Sequence, residues 1–281
     1  MGSNNFHSAS AILERKYFDV EPINKRIKVY QLPEEMDEQY LEELKTVAKK
    51  VACDKIIFYT RSNTEEESRV QRFGSHFEGE IKGFLNGEDA KIYSFYVDPI
   101  RNQADPDNVI SRVKQLTLNK PTGKVNLEEG YTMIWAKEEH AEDMATLYRS
   151  VFDKYPTPID DPNYIIEMMK SDVCFSLIYS EDELVSACSA DIFTDFNAAE
   201  FTDCATLPSQ RGKGLLSYQY PFLEKRMKEL GIGTMFSYTR ATSMGMNIVA
   251  AQQGFTYGGC MVQNSMIGTG IEDMNIWYKQ L

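Results

Sequence analysis

The chain has 281 residues, of which 42% are hydrophobic and 26% are charged, and its formal net charge is −12. This composition indicates a folded globular protein and excludes a disordered one, while the acidic surplus disfavours a nucleic-acid partner. No apolar run reaches the length of a membrane span, and residues 1–7 lack the pattern of a signal peptide. Five widely spaced cysteines and three histidines predict a cytoplasmic protein without a metal site.

Strand and helix patterns alternate through the N-terminal part of the chain. Pro33-Glu34-Glu35 is typical of a helix start, and Asn86-Gly87-Glu88-Asp89 is typical of a hairpin turn. We expect a lead-in over 1–22, followed by an N-terminal lobe over 23–105. Within this lobe the patterns predict strands over 25–30, 54–60, 77–84 and 91–97, and helices over 33–51 and 64–73.

Prolines and a glycine then interrupt the pattern, at Asp98-Pro99, Asp105-Pro106, Lys120-Pro121 and Gly123, and they predict a connector over 106–130. A short helix over 108–116 lies among them. We expect a second, catalytic domain over 131–281. Pro221 should kink the predicted 215–230 helix or delay its start. Strands are predicted over 131–136, 173–179, 184–193, 200–206, 235–239, 255–265 and 274–278, and helices over 138–151, 161–169, 215–230 and 245–253. The alternation predicts an α/β (α+β) fold with a mixed central sheet flanked by helices.

The two parts of the chain share a sequence pattern. Phe58-Tyr59-Thr60-Arg61 resembles Ser237-Tyr238-Thr239-Arg240, and the 74–79 segment resembles the 254–259 segment. Glu88-Asp89 likewise resembles Glu272-Asp273, in the same order and at a nearly constant offset. These matches predict two copies of one strand–helix–hairpin unit, the alternative being a chance similarity of short hairpins.

A glycine loop follows the predicted 200–206 strand and opens the next helix. Its sequence is Arg211-Gly212-Lys213-Gly214-Leu215-Leu216, and the N-terminal lobe has no counterpart of it. Glycines permit a sharp turn that uncovers backbone N–H groups, and the helix start adds unpaired donors and a positive dipole end. The loop is therefore predicted to bind a phosphate or pyrophosphate. It has neither Walker A nor GxGxxG spacing.

This order of strand, loop, helix, strand and helix over about 131–281 resembles the GNAT family of acetyl-CoA-dependent N-acetyltransferases. Arg211 and Gly214 match the family's Arg/Gln-x-x-Gly-x-Gly/Ala pattern, whereas Leu216 replaces its final small residue. The resemblance implies acetyl-CoA as co-substrate and a degenerate GNAT-like N-terminal lobe. It also implies cofactor contacts from Cys204, Ala205 and Thr206 of the strand, from 211–216 of the loop, and from Ser243 and Asn247.

A closer resemblance is to the β-lysine N-acetyltransferases. It is carried by Asp203-Cys204-Ala205-Thr206-Leu207-Pro208 with the loop, by the 240–247 segment, by Tyr257-Gly258-Gly259 and by the 272–279 ending. It implies acetylation of the ε-amine of β-lysine by direct attack in a ternary complex, giving Nε-acetyl-β-lysine, a compatible solute. The alternatives are another small amine or polyamine as acceptor, or a coenzyme A-binding module without turnover.

The amine must lose a proton before it attacks, which requires a base such as a carboxylate. Glu200 and Asp203 are the candidates, and we favour Glu200, the alternative for either being a solvated or substrate-binding carboxylate. Strand alternation places the two on opposite faces unless a bulge intervenes. The slot where many family members have a tyrosine acid holds Ala250, so Tyr238 is a substitute candidate.

Two further residues have open assignments. Arg240 is a candidate for the substrate carboxylate, the alternative being a salt bridge within the sheet. Ser243 is a second substitute for the missing acid, the alternative being a structural or cofactor role. Sequence alone leaves the oligomeric state open, including a homodimer.

Overall fold

The computed structural model describes residues 18–32, 37–117, 127–268 and 270–281. The predicted lead-in up to residue 17, the helix start at Pro33-Glu34-Glu35 and the 118–126 part of the connector lie outside these ranges. The strands are β1 (Phe18–Glu21), β2 (Arg26–Val29), β3 (Lys55–Arg61), β4 (His76–Leu85), β5 (Glu88–Tyr96), β6 (Tyr131–Trp135), β7 (Val173–Ser180), β8 (Glu183–Phe193), β9 (Ala198–Thr206), β10 (Thr234–Arg240), β11 (Thr256–Ile267) and β12 (Gly270–Gln280). The α-helices are α1 (Glu38–Lys50), α2 (Glu65–Arg72), α3 (Ile110–Thr117), α4 (Ala141–Val151), α5 (Pro162–Lys170), α6 (Leu215–Glu229) and α7 (Met244–Gln252).

Local sequence explains where several helices begin. Asp37 caps α1 by accepting a hydrogen bond from the N–H of Tyr40 at 2.9 Å, and Thr64 caps α2 in the same way for Glu67 at 3.2 Å. Pro221 lies inside α6, which begins at Leu215, so the proline does not delay the start of the helix. Within the described ranges, no helix is long and apolar enough to cross a membrane.

The described strands form one twelve-stranded sheet in the order β1-β2-β3-β5-β4-β11-β12-β10-β9-β8-β7-β6. The pairs β2–β3 and β9–β10 are parallel and the remaining neighbours are antiparallel. The predicted α/β class with a mixed sheet is therefore confirmed. Because one sheet runs through both parts of the chain, the division into 23–105 and 131–281 stays a prediction.

The strand order is mirrored about the β4–β11 junction. We call β2 to β5 the first repeat and β9 to β12 the second repeat. Each repeat consists of a parallel pair followed by an antiparallel hairpin. Tyr59 pairs with Ile92 in the first repeat, as Tyr238 pairs with Ile276 in the second. Equal registers are not expected of unrelated hairpins, so this topology supports duplication.

The two repeats meet at a pair of glycines. Gly79 of β4 pairs with Gly259 of β11, and each follows a register shift in its own hairpin. A Cβ on Gly259 would overlap the backbone oxygen of Glu78, so this approach requires glycine. Beside the junction, the hydroxyl groups of Tyr59 and Tyr238 lie 2.8 Å apart.

The sheet curls, because residues of strands that are distant in its order pack together in one core. Helices α1 and α2 pack on one face of the first repeat, whereas α3, α6 and α7 pack on the second. A shared core lies on the inner face of the curl, and it includes Ile57 of β3 and Phe236 of β10. The ring of Tyr30, just after β2, lies 6.0 Å from that of Phe193 at the end of β8. The first repeat therefore closes over β8 and β9.

Candidate active site

The site begins where the two parallel strands of the second repeat separate. Strands β9 and β10 pair only from Ala198 to Glu200, and the last pair is Glu200 with Phe236. Beyond this point β9 stays on β8 while β10 stays on β12. The separation opens a fork whose facing backbone edges have no partner strand within the described residues. Such edges can bind an extended ligand.

A bulge in β9 sets the direction of the carboxylates. Ala187 of β8 pairs with Ala205, and Ser189 pairs with Thr202, so Asp203 and Cys204 together oppose a single residue. Asp203 has φ of 50°, in the left-handed region. The bulge that strand alternation required is therefore present, and Glu200 and Asp203 line the same cavity.

The glycine loop presents backbone donors at the same end of the sheet. Gly212 has φ of 83° and Gly214 has φ of 72°, and a Cβ on either would meet open space. No acceptor among the described residues takes the N–H groups of residues 212–216. Leu215 is buried and Leu216 packs against the core beneath α6, so their side chains lie away from these donors.

The side chains of the loop are held by its neighbours. The Nε of Arg211 donates to the carbonyl oxygen of Thr206 at 3.3 Å. The Nζ of Lys213 donates to Tyr131 at 2.8 Å and to Gln210 at 2.7 Å. Both cations therefore lie beside the uncovered N–H groups and add positive charge to an anion site.

A cavity of about 380 Å³ lies at the mouth of the fork, between the two repeats. This is within the range of about 300–1,000 Å³ that is typical of small-molecule sites. The described residues hold no group of three or more His, Cys, Asp or Glu side chains placed to bind a metal ion. The charged residues that line the cavity are Asp19, Glu21, Arg26, Lys28, Asp191, Glu200, Asp203 and Arg240.

Glu200 has the properties of a base. Burial, opposed by Lys28 and reinforced by Asp191 and Asp203, raises the pKa of Glu200 to about 8. Among the described residues, no side chain or backbone group hydrogen-bonds to its carboxylate. Burial and Asp203 likewise raise the pKa of Asp191 to about 6. The carboxylates thus crowd one another in a poorly solvated space, which a cationic ligand would relieve.

Asp203 is more firmly held than Glu200. Its carboxylate accepts hydrogen bonds from the hydroxyl of Tyr155 at 2.8 Å and from the hydroxyl of Ser189 at 2.7 Å. Burial nevertheless raises the pKa of Asp203. With two acceptor positions already filled, Asp203 is less free than Glu200 to take a proton from a ligand.

Tyr238 and Arg240 both line the cavity. Burial, together with Tyr59 and Glu200, raises the pKa of Tyr238 well above its usual range, so its hydroxyl keeps its proton. The guanidinium of Arg240 pairs with both carboxylate oxygens of Glu272, at 2.8 and 2.6 Å. The sheet salt bridge named as the alternative for Arg240 is therefore present.

The remaining predicted residues lie around the fork. The thiols of Cys204 and Cys188 are 2.9 Å apart, Ala205 is buried, and the Thr206 hydroxyl lies 2.9 Å from that of Ser186.

Ser243 caps the start of α7 without a side-chain hydrogen bond. Asn247 is buried, and its amide donates to the carbonyl oxygens of Arg240 and Ser243 while its oxygen accepts from Thr239, Asn275 and Trp277. Asn247 thus has no free side-chain group for a cofactor and instead positions the turn before α7.

Sequence reasoning missed Asp191 and the entire contribution of the first repeat, including Lys28. The internal repeat held only part of the signal for Lys28, because it aligns Ile57 with Phe236 but the strand pairs that reach Lys28 and Glu200 are seen only in the structure. Lys28 pairs with Ile57 on β3, and Ile57 stands 179 residues before Phe236, the offset at which Tyr59 matches Tyr238. Extending the repeat by one strand places Lys28 at the position of Glu200.

Comparisons with known proteins identify N-acetyltransferases as relatives of this chain. The chain is 35% identical over 264 residues to the N-acetyltransferase YodP of Bacillus subtilis, covering 94% of this chain and 95% of that protein. It is 34% identical to the beta-lysine N(6)-acetyltransferase of Methanosarcina mazei, covering 85% and 95%. It is 29% identical to the protein of the same name from Methanococcus maripaludis, covering 92% and 94%. No protein-family model matches the chain.

The fork, the uncovered loop donors and the acidic cavity fit an acyltransferase that binds a phosphorylated coenzyme beside an amine. The chain belongs to the GNAT family of N-acetyltransferases, and its co-substrate is acetyl-CoA. The site fits this coenzyme, because the backbone N–H groups of residues 212–216 suit a pyrophosphate and the open edge of β9 suits a pantetheine arm.

Proposed function

We propose that the protein acetylates the ε-amine of β-lysine and so makes Nε-acetyl-β-lysine, a compatible solute. The observation that carries this proposal is the charge of the cavity at the fork. Its lining has five carboxylates and three cations, and Glu272 already neutralises one cation, Arg240. A diamino acid carries two ammonium groups and one carboxylate, which complements such a wall. The two methanogen relatives named beta-lysine N(6)-acetyltransferase support the same acceptor.

The proposed roles of the residues are as follows. Acetyl-CoA supplies an activated acetyl group when it is bound. The N–H groups of 212–216 hold its pyrophosphate, with Arg211 and Lys213 beside them. Glu200 takes the proton from the acceptor ammonium, and its pKa of about 8 suits a base that works near neutral pH. Asp203 attracts and orients the ammonium.

Tyr238 keeps its proton and can donate a hydrogen bond into the cavity. No tyrosine occupies position 250, where Ala250 is buried in the core, so no acid is provided there. We therefore keep Tyr238 as the acid candidate, supported by its place in the lining.

The test is to offer a panel of amines with acetyl-CoA and to measure the rate at which free thiol is released. The panel contains β-lysine, lysine, spermidine and pentane-1,5-diamine. We expect the highest kcat/KM with β-lysine and little turnover of spermidine, because a polyamine has no carboxylate to place. A preference for spermidine would replace the proposal with a polyamine acetyltransferase. Tight binding of acetyl-CoA without turnover of any amine would indicate a non-catalytic module.

A further inference from the structure

The first repeat, together with β1, forms one wall of the amine cavity although it has no glycine loop. Strand β2 contributes Arg26 and Lys28 to the lining, and strand β1 contributes Asp19 and Glu21. Hydrogen bonds to β11, between residues far apart in sequence, hold this wall in place. Arg26 donates to the carbonyl oxygen of Asn264 at 2.7 Å and to the hydroxyl of Ser265 at 3.0 Å.

Lys28 and Glu200 occupy equivalent positions in the two repeats. Lys28 pairs with Ile57, and Glu200 pairs with Phe236, in the two parallel strand pairs. Paired residues of neighbouring strands point to the same face, and both partners belong to the shared inner core. The repeats therefore direct opposite charges into one cavity from its two walls.

The ammonium group of Lys28 keeps donors for a ligand. It forms an ion pair with Glu21 at 2.6 Å, which uses one of its three N–H groups. No other acceptor within the described residues takes the remaining two. Glu21 itself also bonds to Arg26, at 2.8 Å to Nε and 2.6 Å to Nη2, so Arg26 already balances its charge.

The charge of Lys28 is secure at neutral pH. Burial by itself lowers the pKa of Lys28, but the carboxylate of Glu21 beside it raises the pKa well above its usual range. Asp19 lines the same wall. The wall thus offers one cation and one carboxylate to a ligand. These two groups complement a ligand that has a carboxylate beside an ammonium group.

We propose that Lys28 binds the carboxylate of the amino-acid substrate, which makes the first repeat the specificity-determining wall of the site. This inference rests on the proposed function. Asp19 lies beside Lys28 and faces the β-ammonium of β-lysine, while the ε-amine extends across the cavity to Glu200. An acceptor without a carboxylate gains nothing from Lys28.

The test compares two acceptors that differ only in the carboxylate, β-lysine and pentane-1,4-diamine. Lys28→Met is expected to lower kcat/KM for β-lysine by about 10- to 100-fold, mainly through KM, because a charged hydrogen bond to the substrate is lost. The diamine should change by less than about threefold relative to its own wild-type value. Because both acceptors use Glu200, the ratio of their kcat/KM values cancels any effect of Lys28 on that carboxyl group.

Two further variants serve as controls for this comparison. Lys28→Arg keeps the charge and should retain most of the preference for β-lysine. Lys82→Met removes an exposed lysine of β4 and should leave both acceptors unchanged. If Lys28→Met does not fold, as judged by its melting curve, Lys28→Gln is measured in its place. Equal losses with both acceptors, or no loss with β-lysine, would overturn the inference.

Failure of the proposed function gives a different outcome. A wild-type preference for spermidine, or no turnover of any amine, would overturn the proposed function and this inference together, whereas a preference for lysine over β-lysine would overturn only the choice of acceptor. The same comparison is then made with lysine and pentane-1,5-diamine, its counterpart without the carboxylate. A selective loss with lysine in Lys28→Met would keep Lys28 as the carboxylate site, and an equal loss with both acceptors would exclude it.

Discussion

Replacing Glu200 with glutamine tests the proposed base directly. The side chain keeps its size and lies in a cavity, so Glu200→Gln removes the ability to take a proton without removing packing. Burial with opposing and reinforcing neighbours raises the pKa of Glu200 to about 8. A carboxyl group with this pKa is ionised in about a tenth of molecules at pH 7 and in about nine tenths at pH 9.

The wild-type kcat/KM should therefore rise about tenfold between pH 7 and pH 9 from this group alone. A general base contributes about 10²- to 10⁴-fold, so Glu200→Gln should lose at least about 100-fold at pH 9 and less at pH 7. The assay is thiol release with β-lysine at subsaturating concentration across this pH range. Glu183→Gln, an exposed position on β8, serves as the matched control.

The pH dependence of the stability of the wild type and of Glu200→Gln provides an independent readout. Because the pKa of Glu200 is raised from 4.5 to about 8, its protonated form stabilises the fold, fully below pH 4.5 and not above pH 8. The free energy of unfolding of the wild type should fall relative to that of Glu200→Gln over this range, by at most about 5 kcal/mol. A parallel pH–rate profile in the variant, with activity within about threefold at pH 9, would refute the assignment of the base.

Two further predictions concern the bulge and the repeat junction. Asp203→Asn should lower kcat about tenfold and keep the pH inflection assigned to Glu200 but move it to lower pH, because Asp203 orients the ammonium in the proposed mechanism and its charge helps to raise the pKa of Glu200; loss of the inflection would exchange the two roles. Gly259→Ala should destabilise the protein by more than about 3 kcal/mol in chemical denaturation, because its Cβ would overlap the backbone of Glu78. Gly74→Ala, where a Cβ meets nothing, is the matched control and should cost about 1 kcal/mol for its positive φ; equal losses would contradict the packing argument.

Much of this architecture was predictable because the signals are local. The hairpin turn at Asn86-Gly87, the caps at helix starts and the glycine loop depend on residues close in sequence. The equal registers of β3 on β5 and of β10 on β12 agree with the predicted repeat, which includes Tyr59 and Tyr238. These elements therefore appear within a few residues of their predicted bounds.

The directions of the Glu200 and Asp203 side chains were not predictable by the same means. The bulge at Asp203 exists because β9 and β8 pair with one extra residue on β9, a register decided across two strands. Asp191 enters the site through that same pairing, opposite Glu200. The assignment of Arg240 was open for the same reason. Its partner Glu272 is 32 residues away in sequence, and the two side chains meet only because β10 pairs with β12.

The repeat explains how one sheet provides both walls of an amine site. A pseudo-symmetric pair of strands that converge on one axis would place identical groups opposite each other, as the hydroxyl groups of Tyr59 and Tyr238 still are. Identical charges in those positions would repel, and only one side needs a coenzyme loop. In the cavity the first repeat instead has the cation Lys28 where the second has Glu200, the proposed base. With the proposed roles, the site has a positive end for a carboxylate and a negative end for an amine, and we expect it to select the substrate by the distance between its charges.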